Sequence, residues 1–164
     1  MNIQNLHTIT GQETPPEPSQ PVFALIQFYR AFNQQNFELM QENWLQTEEA
    51  SMANPLGGLK RGWNEIKQVY EKIFYGPASV YVEYYDFTIH QSDNMFIAAG
   101  KERGRLTISD NQIDLAIRTS RVYVFKDKRW QHLHHHGSMD NPGLLDRYQS
   151  LILSQHQMTN NKTY

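Results

Sequence analysis

RTSRVYVFKDKRWQHLHHHGSM, residues 118–139, decides how the chain is read. Two runs of alternating residues flank the polar stretch Lys126-Asp127-Lys128-Arg129, which predicts two antiparallel strands joined by a tight turn. The second run holds four of the seven histidines. Side chains alternate faces along a strand. Regular alternation puts His132, His134 and His136 on one face, and Gln131, Leu133, His135 and Gly137 on the other. A strand polar on both sides is not ordinary core, so one face lines a pocket or meets a partner. In the preceding strand Ile113, Leu115, Ile117, Thr119, Arg121, Tyr123 and Phe125 share a face that starts apolar and turns polar. An inward Arg needs an anion beside it to offset desolvation, either a ligand carboxylate or a structural Glu or Asp.

Working back from this hairpin, period-two patterning predicts further strands near 79–90 and 94–107, with the hairpin strands at 112–126 and 129–138. Ser92-Asp93-Asn94 and Ser109-Asp110-Asn111 separate them. Upstream the period is helical. Val22, Leu25, Ile26, Tyr29 and Phe32 mark a first helix after Pro21, with Ser19 available as its N-cap. Asn36 caps a short second helix facing inward with Phe37, Met40 and Trp44. A third buries Trp63, Ile66, Val69, Tyr70 and Ile73 and stops at Gly76-Pro77. Asp140-Asn141-Pro142-Gly143 opens a last helix with Leu144, Leu145, Tyr148, Leu151 and Ile152 on one side. Helices first and strands later predict an α+β domain, with helices on one face of an antiparallel sheet. The expected division is a flexible tail over 1–20, an α+β domain over 21–139, a C-terminal helix over 140–155 and a frayed tail over 156–164.

Composition narrows the function. The chain has 164 residues, 39% of them hydrophobic and 12% aromatic, which suits one globular domain with a sizeable core. Its formal charge of −2 is carried by Glu13 and Glu17 in the first twenty residues, leaving a neutral body. A neutral body argues against nucleic-acid binding, which needs a basic face. No cysteine is present, so disulfide and thiolate chemistry are excluded. Residues 1–11 show no basic and apolar leader pattern, and no apolar run nears the roughly 20 residues of a membrane span. A cytoplasmic location without membrane contact is the expectation.

Three motifs carry a resemblance over about residues 20–139. The first is Phe28-Tyr29-Arg30-Ala31-Phe32-Asn33 running to Asn36-Phe37-Glu38, and the second is Asn54-Pro55-Leu56-Gly57 before a Gly62-to-Ile66 helix start. The third is Ser120-Arg121-Val122-Tyr123 followed by Trp130-Gln131-His132-Leu133-His134-His135-His136-Gly137-Ser138. Together they resemble the nuclear transport factor 2-like superfamily, and most of all its SnoaL-like and kinase association-domain branches. The resemblance implies a cone: three N-terminal helices packed on a curved antiparallel sheet, plus the C-terminal helix. It also implies a pocket between the concave sheet face and the helices, and a homodimer through the outer sheet face. Set against the ketosteroid isomerases of this superfamily, the general-base Asp corresponds to Asn54, whose amide accepts no proton. Their Tyr falls nearest Phe28, with Tyr29 one residue out of phase, and their second Asp falls near Ser120 or Arg121. The chain is therefore not expected to be a ketosteroid isomerase. Of the cations that association domains project into the pocket, two correspond to Arg121 and Lys101, while a third position is Gly137.

By this resemblance Leu133 and His135 face the pocket, making His135 a candidate acid or base, with Arg121 and Tyr123 as orienting or oxyanion-stabilising groups. Tyr29, Phe32, Asn54, Trp63, Lys101 and Leu133 complete the candidate pocket, although helix-borne aromatics are more often core. Lys101, Arg103 and Arg105 alternate on one face of their strand while Glu102 points the other way. The leading expectation is a small-molecule-binding domain for an apolar or carboxylate-bearing ligand, with lyase, isomerase or cyclase chemistry if it is an enzyme. A non-catalytic dimerisation or association module is the alternative. A small metal-dependent enzyme, resting only on the spacing of His132, His134 and His136, is the third. No cofactor is expected and no metal ligands are assigned.

Overall fold

The computed structural model describes residues 8–160, with side chains through 154. Its elements run β1 (Thr8–Ile9), α1 (Pro21–Asn33), α2 (Phe37–Asn43), β2 (Ser51–Ala53), β3 (Lys60–Arg61), α3 (Gly62–Tyr75), β4 (Ser79–Gln91), β5 (Met95–Ile108), β6 (Asn111–Lys126), β7 (Arg129–Met139) and α4 (Pro142–Asn160). One sheet of seven strands has the order β1-β4-β5-β6-β7-β2-β3. Every pairing is antiparallel except β2 on β7. This is the expected α+β architecture: long strands form the curved sheet, the helices cover its concave face, and α4 closes the end of the chain.

The long strands fall within a residue or two of their predicted bounds because their alternation is strong. Phe96, Ala98, Glu102 and Leu106 point inward from β5, and Ile113, Leu115, Thr119, Arg121 and Tyr123 from β6. The β6–β7 turn places Asp127 and Lys128 in left-handed backbone (φ 53° and 62°), as a two-residue hairpin turn of matching twist requires. Curvature comes from two breaks in the ladder. Asp86 (φ 47°) lies where the β4–β5 register shifts between Tyr85 and Thr88. At the same level a side chain on Gly100 would collide with Phe87. The second break is in β7, where Tyr123 pairs with His132 but Val122 pairs with His134, leaving Leu133 as an extra residue.

α1 is buried on nearly all sides, through Val22, Ala24, Leu25, Ile26, Phe28, Tyr29 and Ala31. Its N-cap is Gln20, without a side-chain cap bond, rather than the expected Ser19; the Ser19 carbonyl instead accepts from Trp130 Nε1 at 2.8 Å. Asn36 caps α2 as expected, accepting from the Leu39 amide at 3.0 Å.

Residues 8–13 correct the expectation of a flexible tail over 1–20. Ile9 is fully buried, and β1 pairs with Tyr84 and Tyr85 of β4. Arg30 donates to the carbonyls of Gly11 and Glu13, each at 2.7 Å, and Asn33 Nδ2 donates to that of Thr10 at 2.9 Å. Two residues of strand are too short for periodicity to reveal, and their partners lie on distant elements. Residues 1–7 fall outside the described part of the tail. At the other end α4 continues to Asn160, past the expected fraying point at 156, while residues 161–164 lie outside the described residues.

Candidate functional site

Arg121 anchors the interior. It is 1% exposed and projects from the middle of β6. Its Nη2 donates to Glu102 Oε1 at 2.6 Å and its Nε donates to the Tyr29 hydroxyl oxygen at 3.2 Å. Tyr29 in turn donates to the same Glu102 oxygen at 2.6 Å. The guanidinium lies 3.7 Å above the centre of the Phe28 ring, a cation–π arrangement. Burial works against its charge, but Tyr29 and Glu102 more than offset this and hold the pKa above the ordinary value. The anion required by an inward Arg is thus a residue of the chain. Glu102 escaped assignment from sequence, although a lone acid at an inward strand position was the signal to follow.

His132 sits beside this cluster, wholly buried between aromatic rings. Trp44 stacks on one face at 4.0 Å between centroids, Tyr123 stacks on the other at 4.4 Å, and Phe28 meets it edge-on at 5.5 Å. The extra residue in β7 corrects the expected parity. It turns His132 inward with Tyr123, while His134 and His136 stay on the outer face and His135, opposite Arg121, stays inside. His135 is half-buried, 6.2 Å from the His132 ring, with Nδ1 3.4 Å from Thr119 Oγ1. Burial, then the nearby Arg121, holds both His132 and His135 well below the usual imidazole pKa, so both are neutral at pH 7. A neutral imidazole offers one donor and one acceptor.

Three side chains here keep buried polar atoms without a protein partner: Arg121 Nη1, both ring nitrogens of His132, and the Tyr84 hydroxyl. Tyr84 stacks on Tyr29 at 5.4 Å, which ties it to the same cluster. Tyr148 of α4 brings in a further phenol, whose pKa is raised by burial and then by Glu102. Neither Tyr84 nor Tyr148 was assigned to the pocket from sequence. Their contribution depends on the bend in β4 and on where α4 lands.

The remaining expected residues divide. Tyr123 is buried at the site, but its hydroxyl already donates to Asn43 Oδ1 at 3.2 Å. Phe32 packs on Phe28 and Phe74, and Trp63 on Trp44 and Phe37, so both support the wall from behind. Asn54 closes its own turn, accepting from the Leu56 amide at 3.0 Å. Leu133 is the partly exposed extra residue of β7. Lys101 is a correction: it points outward, in an ion pair with Asp86 at 2.7 Å, because strand parity gives the inward position to Glu102. The three-histidine row does not form, since His132 and His134 occupy opposite faces. Among the described residues no three His, Asp or Glu side chains are grouped to hold a metal ion. No described helix is long and apolar enough to cross a membrane.

A curved sheet wrapped on one buried helix, with polar groups at its centre, defines the nuclear transport factor 2-like class. Residues 23–142 match the model of the SnoaL-like domain, and the chain belongs to that family. Solved structures agree on the fold. A protein of the NTF2-like family from Streptomyces avermitilis, provisionally named a dehydratase, superimposes with a TM-score of 0.66 at 17% identity, covering 76% of this chain and 96% of its own. A provisionally named calcium/calmodulin-dependent protein kinase type II association domain from Thiobacillus denitrificans gives 0.64 at 20% identity, covering 79% and 100%. An uncharacterised protein with a cystatin-like fold from Caulobacter vibrioides gives 0.61 at 21% identity, covering 83% and 99%. No curated protein matches the chain.

Proposed function

We propose that this SnoaL-like domain binds a small, mostly apolar molecule against the interior face of β6 and β7, with an oxygen of the ligand turned towards Arg121. The supporting observation is the set of unpartnered buried atoms on Arg121, His132 and Tyr84. Buried polar groups are nearly always satisfied, and leaving one unmade costs about 1–3 kcal/mol. Several at one place, walled by Phe28, Tyr29 and Trp44, suit a ligand with few polar atoms. In the catalytic form of this reading His135, neutral and partly open, accepts a proton from carbon next to a carbonyl. Arg121 Nη1 then stabilises the oxygen on which negative charge develops. That is chemistry of the isomerase, lyase or cyclase kind.

Two measurements test this. Carbon-bound imidazole proton signals of His132 and His135 should shift together when the protein is titrated with small aromatic ketones. Ketones incubated with the protein in D2O should exchange α-hydrogens faster than with His135→Asn. Shifts without exchange would leave binding and remove the catalytic form; the absence of both would overturn the reading.

A second reading, an association module pairing two copies through the outer sheet face, rests on a different observation. Tyr81, Met95 and Ile97 are exposed large hydrophobics on that face, beside a shallow groove floored by Ala99, Ser120 and Ser138. The two readings are compatible, since they use opposite faces of one sheet.

A further inference from the structure

Arg121 and Glu102 are the only buried charged side chains among the described residues. The four other ion pairs, Lys101–Asp86, Arg103–Glu83, Arg105–Asp114 and Arg118–Asp140, all sit at the surface. The interior therefore holds one cation and one anion, 2.6 Å apart. Around them Tyr29, Tyr70, Tyr84 and Tyr123 are uncharged phenols, and His132 and His135 are neutral. Within the proposed binding reading, on which this step rests, the consequence is specific. Arg121 has a free N–H but no free charge.

From this balance we infer that Glu102 is the specificity-determining residue of the interior site, closing it to anions and selecting uncharged hydrogen-bond acceptors such as ketones. A carboxylate at Arg121 Nη1 would place two carboxylates on one buried guanidinium. Like charges in such a setting cannot both stay ionised, so one must take up a proton or leave. A ketone needs only one of the N–H donors that Nη1 offers, or those of His132 and Tyr84, and leaves the Arg121–Glu102 pair intact. The row Arg103 and Arg105 cannot rebalance the interior, because it lies on the other face of β5.

Acetophenone and benzoate test the inference, being close in shape and differing in charge. Titrations of the full chain at pH 7.5, followed by the imidazole signals of His132 and His135, give both affinities. Acetophenone should bind tighter than benzoate by roughly tenfold or more, as expected for a like-charge penalty. In Glu102→Gln, which keeps an acceptor for Arg121 and Tyr29 but removes the negative charge, the order should reverse. Benzoate binding wild type as tightly as acetophenone would overturn the inference and leave the binding reading standing. An unchanged order in a folded Glu102→Gln would remove Glu102 as the determinant. If that variant does not fold, the wild-type order alone decides. Binding of neither compound would overturn this inference together with the reading beneath it.

Discussion

Arg121 and Glu102 share one fate. Removing one member of a buried ion pair strands the other, at about 3–5 kcal/mol, whereas replacing both with apolar residues of similar volume is often close to neutral. Glu102→Ala should therefore lower the unfolding free energy by about 3–5 kcal/mol in urea titrations, and Arg121→Met with Glu102→Leu should lower it much less. His132 acts through protons instead. Its folded pKa lies below the ordinary value of about 6.5 that it regains on unfolding. Below that pH the unfolded chain binds a proton that the folded chain refuses, so stability is whole above about pH 6.5 and falls as pH drops towards the folded pKa. Melting temperatures between pH 7.5 and 5 should fall in the wild type and fall less steeply in His132→Phe, which keeps the ring between Trp44 and Tyr123.

At the scale of elements, β1 has only two residues and yet it seals an edge of the sheet. Ile9→Ala empties a fully buried site and should cost about 2–5 kcal/mol in the same urea titrations. Sequence made the four long strands and four helices legible because each repeats its own periodic pattern along seven or more residues. It did not reveal β1, β2 or β3, which have two or three residues each and are held by partners far along the chain. The site was legible in part for a similar reason. Parity along unbroken β6 put Arg121 and Tyr123 on one inward face, and the resemblance, not parity, turned His135 inward. Parity failed at His132, because an extra residue in one strand leaves no local mark among Gln131, His132 and Leu133. Lys101 was misplaced for another cause: the resemblance gave it an inward role although its own alternation with Glu102 pointed outward.

For the whole molecule, the sheet separates two kinds of surface. Inside, charge is balanced and several buried polar atoms have no protein partner; outside, apolar residues stand among ion pairs. The proposed dimer makes Ile97, 40% exposed on the outer face near the start of β5, a sensitive position. Light scattering after size exclusion should give twice the chain mass for wild type and the chain mass for Ile97→Glu, with far-UV circular dichroism unchanged in both. A wild type that stays monomeric at high concentration would remove the association reading and leave the interior site untouched.

The extra residue in β7 also changes how this chain can be compared with its relatives. Counting along the strand, His132 falls in step with His134 and His136; in space it belongs with His135. Any position-by-position transfer of roles from a relative with an unbroken strand is therefore out of step on one side of Leu133. Matching this strand by its cross-strand partners, Tyr123 for His132 and Arg121 for His135, restores the correspondence that residue numbers lose.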